Sequence, residues 1–88
     1  MNDIQITRTT PIGRTTDAAD QAYIIETTAG SVVVTPDSIL TGVWTVGDFE
    51  TLALLPLDAD PADYEETIWA DTPAAAAEAY LFTKIAFA

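Results

Sequence analysis

The sequence contains no cysteine and no histidine. Without cysteine there is no disulfide, no thiolate metal site and no thiol nucleophile. Without histidine the commonest metal ligand and the usual general base near neutral pH are missing. A Ser/His/Asp or Cys/His arrangement therefore cannot be assembled. Positive charge is scarce. Arg8, Arg14 and Lys84 face fourteen acids in 88 residues, for a net charge of −11. Gly13, Gly30, Gly42 and Gly47 are too widely spaced for a phosphate-cradling loop. No apolar run approaches the roughly 18 residues of a membrane span. The opening MNDIQITRTT has no apolar core of the secretory kind. These absences lead us to expect a soluble cytoplasmic protein with no cofactor, no metal site and no enzymatic activity.

What is present favours folding. Hydrophobic residues make up 49% of the chain, and two are tryptophans. A chain of this length forms one domain, residues 1–88. It can bury roughly 60–65% of the surface it exposes when unfolded.

Residues 3–9 alternate, with Ile4 and Ile6 on one face and Asp3, Gln5 and Thr7 on the other, as in a strand. Pro11-Ile12-Gly13 should break it, and residues 14–20 read as a loop. Residues 21–28 and 31–35 form two further strands. Thr28-Ala29-Gly30 closes them into a hairpin, with the glycine free to take positive φ. Val32-Val33-Val34 is continuous rather than alternating, which suits a central strand covered on both faces, and Pro36 ends it. Ile39-Leu40 suggests a single packed helical turn. Gly42 and Gly47 bracket another short extended piece.

Two stretches admit two readings. Asp48 could cap a helix ending before Pro56, or residues 49–55 could be a strand. So short a helix is marginal, which favours the strand. Residues 61–70 could start a helix at Asp60-Pro61. Alternatively, Tyr64, Glu66, Ile68 and Ala70 lie on one face of a strand and Glu65, Thr67 and Trp69 on the other. The β-branched and aromatic content favours the strand. Thr72 caps a final helix with Pro73 at its first position. Four successive alanines support it. Ala74, Ala77, Leu81 and Ile85 form its apolar stripe, with Phe82 widening the stripe. Tyr80, Lys84 and Phe87 fall on another side. The expected architecture is α+β: an antiparallel sheet of about four to five strands with a C-terminal α-helix packed on one face.

Chemistry is hard to find. The run DADPAD (58–63) has the acids of a calcium loop. It places Asp63 where an EF-hand requires glycine, and Ala62 where it requires an oxygen ligand. Paired carboxylates could serve glycoside hydrolysis, but so short a chain leaves little room for a sugar cleft.

The acids are the main feature. Between Arg14 and Lys84 lie thirteen of the fourteen acids and no base. Such a chain repels nucleic acid and anionic membranes and attracts a basic groove on another protein. The densest run holds Asp58, Asp60, Asp63, Glu65, Glu66 and Asp71, with Trp69 among them as a candidate interface anchor. Core packing is the default expectation for Trp69, and more so for Trp44. An extended run of about 15 residues spans about 50 Å, enough to follow a phosphate track. In size and charge the chain resembles phage-encoded inhibitors of host nucleic-acid enzymes, anti-CRISPR proteins among them. That resemblance implies a nucleic-acid mimic occupying a basic groove of a nucleic-acid-binding protein. The rival reading is a small structural or assembly subunit forming a homodimer through its C-terminal helix. Its acids would then serve only solubility or halophilic adaptation, which the Asp-, Ala- and Thr-rich composition also resembles.

Overall fold

The computed structural model describes residues 4–12, 21–37 and 39–86, with side chains as far as Lys84. Five strands follow one another in space as they do in sequence: β1 (Ile6–Ile12), β2 (Ala22–Thr27), β3 (Gly30–Pro36), β4 (Val43–Asp48) and β5 (Glu65–Trp69). Every neighbouring pair is antiparallel. A short helix α1 (Phe49–Ala53) and a 3-10 turn (Pro61–Tyr64) lie between β4 and β5, and helix α2 (Pro73–Ala86) follows β5. The architecture is α+β, as the sequence leads one to expect.

Strand alternation sorts the side chains. Register partners share a face, so Ile25 with Val32, and Val34 with Val46, point the same way. These four are fully buried beneath Ala76, Ala77, Tyr80 and Leu81 of α2. Ile4 and Ile6 pack at the margin of that core, as their alternation implies. β3 is central, and its valine run fits that place. Val32 and Val34 are sealed by α2, while Val33 on the other face is half-buried near α1.

The β2–β3 hairpin turns at Thr28 and Ala29, with Thr27 opposite Gly30. The Thr27 hydroxyl accepts from the Ala29 N–H at 3.1 Å and donates to the Gly30 carbonyl at 2.7 Å. Gly30 has φ +129°, a conformation that residues with a Cβ rarely adopt.

Four local expectations change. The first strand begins at Ile6 and continues through Pro11, which faces Tyr23. Proline is tolerated there because β1 is an edge strand and its missing N–H costs no ladder bond on the outer side. Residues 49–53 are helix rather than strand. The Asp48 carboxylate accepts from the Thr51 N–H at 2.9 Å and the Thr51 hydroxyl at 3.0 Å, which offsets the shortness of the helix. Ile39 and Leu40 are exposed rather than packed. The Asp37 carboxylate instead holds their loop, accepting from both backbone N–H groups.

The fourth change concerns α2. Thr72 caps it as expected, accepting from the Ala75 N–H at 3.1 Å. Its buried stripe is Ala76, Ala77, Tyr80 and Leu81, with Ala74 half-buried. Tyr80 belongs to the core, while Phe82 faces outward at 67% exposure. The apolar face is set by where the helix meets the sheet, a rotation that a helix apolar on most sides leaves open. The loop expected at 14–20 and the position of Phe87 lie outside the described residues, as does the side chain of Ile85.

At 61–70 both readings hold in part. Asp60 caps the 3-10 turn by accepting from the Ala62 N–H at 3.0 Å. The chain then extends into β5.

Candidate functional site

β5 organises the acidic end of the molecule. It is the second edge of the sheet, paired on one side only with β4. Its five residues carry Glu65, Glu66 and Trp69, and alternation divides them. Glu65, Thr67 and Trp69 share the face away from α2, while Glu66 and Ile68 share the α2 face. Six acidic candidates and one tryptophan therefore do not form a single cluster.

Asp63, Glu65 and Glu66 line a cleft of about 240 Å³ at the start of β5, together with Asp48, Tyr80 and Lys84. Four carboxylates and one ammonium group thus line the same cleft. Lys84 lies 5.3 Å from the centre of the Tyr80 ring, within cation–π range. Asp48 belongs to the cleft because Gly47 of β4 pairs with Glu65. Its tendency to cap a helix was readable; its meeting with Glu65 and Glu66 depends on sheet register. Glu50 follows it on α1 and is exposed.

Trp69 and Asp71 lie at the other end of β5, beside Thr41, Gly42 and Ala70 in an open hollow. Trp69 is 72% exposed, which corrects the default expectation of core packing. The core role falls to Trp44, half-buried against the cluster under α2, whose indole N–H donates to the Ala70 carbonyl at 3.0 Å. The physical reason is alternation: Trp44 and its partner Ile68 point toward α2, so Trp69 must point away. Asp58 and Asp60 are exposed on the segment between α1 and β5. Asp60 is also held by its cap.

Charge is uneven over the molecule. At the β1 edge Arg8 lies 3.9 Å from Glu26, an exposed pair that offsets charge locally and adds little stability. β4, α1, the 3-10 turn and β5 carry acids and no base, and Lys84 of α2 shares the cleft with some of them. Among the described residues, no group of three or more acids is placed to hold a metal ion. Among the described residues, no helix is long and apolar enough to cross a membrane.

Hydrogen bonds from the Leu40 and Ile39 N–H groups hold the Asp37 carboxyl below its ordinary value. It serves the β3–β4 loop rather than the acidic edge.

No protein-family model, curated protein or solved structure matches the chain.

Proposed function

We propose that this chain is a non-enzymatic acidic inhibitor that binds a basic, nucleic-acid-binding surface of another protein. The observation that carries the reading is the exposed indole of Trp69 at one end of an acidic edge strand. An indole left in water costs hydrophobic free energy that burial in an interface recovers. Tryptophan within a polar rim is a frequent interface anchor. Around it, Glu65, Glu66 and Asp71, with Asp58, Asp60 and Asp63 toward the other end, offer negative charge along an extended track. Such a surface speeds encounter with a basic groove and competes there with phosphate.

The role asks for no nucleophile, general base or cofactor. The test is capture of partners from a host lysate at low salt, followed by titration at rising ionic strength. We expect a basic nucleic-acid-binding protein whose affinity falls steeply with salt. Reversal of Glu65 and Glu66 to Lys should weaken that binding at least about tenfold. Recovery of no basic partner would overturn the reading. Unchanged affinity after charge reversal would move the contact away from β5.

A further inference from the structure

The two edges of the sheet are guarded differently. β1 carries Pro11, which has no N–H, and an irregular register between Ile6 and Arg8. Both features hinder the addition of another strand. β5 has no proline, no lysine and a continuous register with β4 from Glu65 to Trp69. No described residue pairs with its outer side.

The direction of its backbone groups follows from the ladder. The Ala70 N–H donates to the Gly42 carbonyl at 2.9 Å. Antiparallel pairs alternate between hydrogen-bonded and non-hydrogen-bonded. Ile68 and Glu66 therefore turn their N–H and C=O groups toward β4. Glu65, Thr67 and Trp69 turn theirs outward. The same residues put their side chains on the face away from α2. The Glu65 N–H is already engaged, donating to the Ala62 carbonyl at the end of the 3-10 turn. Among the described residues the edge thus presents the N–H groups of Thr67 and Trp69 and the outward carbonyls of Glu65, Thr67 and Trp69, with a carboxylate at one end and an exposed indole at the other.

We propose that the outer edge of β5 accepts an extended, basic segment of a partner protein as a sixth strand. The proposal rests on the reading of the chain as a binder of basic surfaces and specifies how the contact is made. Main-chain bonds to the Thr67 and Trp69 N–H groups and to the outward carbonyls, that of Glu65 included, supply register, as in other strand-addition complexes. Basic side chains opposite Glu65 and Trp69 meet a carboxylate and an aromatic face that attracts cations. Charge chooses the occupant. A second copy of this chain would set Glu65 and Glu66 against an equally acidic strand, whereas a strand with alternate Arg or Lys side chains is complementary. The negative edge thus opposes self-pairing and favours the basic partner.

The test uses a short capped peptide alternating arginine and valine, and the same peptide N-methylated at alternate residues. Both carry the same charge, but the second cannot donate along one edge. With the full chain at low salt we expect the first peptide to protect the Thr67 and Trp69 amides from hydrogen exchange. N-methylation should weaken binding about tenfold or more. Thr67→Pro removes an outward donor, cuts no bond to β4 and leaves the charge unchanged, so it should act likewise. Equal binding of both peptides without amide protection would overturn strand addition while leaving the acidic-binder reading intact. If neither peptide binds at low salt, both ideas fail. Protection of the same amides without peptide, in a sedimenting dimer, would assign the edge to a second copy and overturn the partner proposed here.

Discussion

Leu52 of α1 lies directly over Gly47 of β4, so close that a Cβ on Gly47 would come within 2.8 Å of the Leu52 Cδ1 atom. The same Cβ would meet the Glu65 Cγ atom at 2.9 Å. Gly47 therefore lets the short helix fold back onto the sheet beside the acidic cleft. Gly47→Ala should cost about 1–3 kcal/mol, the usual range for overpacking. Adding Leu52→Ala should recover part of that loss. A double-mutant cycle in urea checks the coupling, and simple additivity of the two changes would show that the contact is not the cause.

The two tryptophans should separate cleanly. Trp44→Ala removes a core-packed ring and its hydrogen bond to Ala70, and should cost about 2–3 kcal/mol. Trp69→Ala should change stability by no more than about 0.5 kcal/mol, as expected of an exposed residue. Urea unfolding of each variant measures the difference. Comparable costs would place Trp69 in the core and remove the anchor.

Phe82, not Leu81, is the informative position for assembly through α2. Leu81 is 6% exposed, so an aspartate there would unfold the core whether or not the chain self-associates. Phe82 lies on the outer side of the helix. Sedimentation at several concentrations should be the same for the parent chain and Phe82→Asp. A dimer dispersed by Phe82→Asp would instead support the assembly-subunit reading.

Asp37 should make stability depend on acid. Its folded value is depressed by hydrogen bonds from Leu40 and Ile39, so the ionised form stabilises the loop. That contribution is complete above the ordinary unfolded aspartate value of about 3.9 and is lost as pH falls through the lower folded value. Asp37→Ala should therefore destabilise the protein near neutral pH. The gap between parent and variant should narrow as pH drops below about 4. Thermal unfolding at several pH values reads this directly. A gap that stays constant down to strongly acid pH would exclude a role for the charge.

Elements whose signals are local could be read in advance. The hairpin follows from two β-branched runs around Thr28-Ala29-Gly30. The start of α2 follows from Thr72-Pro73, and the alternation of β5 from residues 64–70. Expectations shifted where a neighbour decides. Asp48 made either a cap or a strand end, and its bonds to Thr51 chose the cap. Pro11 looked like a break until β1 proved to be an edge. The candidate acids were legible as a run, but their division was not. Glu65 and Glu66 are adjacent in sequence and lie on opposite faces, and Asp48 joins them only through pairing of β4 with β5.

By itself the sequence determined the chemistry on offer: abundant carboxylates, three bases, and no thiol or imidazole. It also determined the local elements, because hydrophobic period, capping and turn residues act over a few neighbouring positions. Only the tertiary structure decided which edge is open, which tryptophan faces water and which carboxylates share a cleft. Those outcomes depend on strand order, register and the side of the sheet that α2 covers. They are set by contacts between residues far apart in the chain, and no short stretch of sequence encodes them alone.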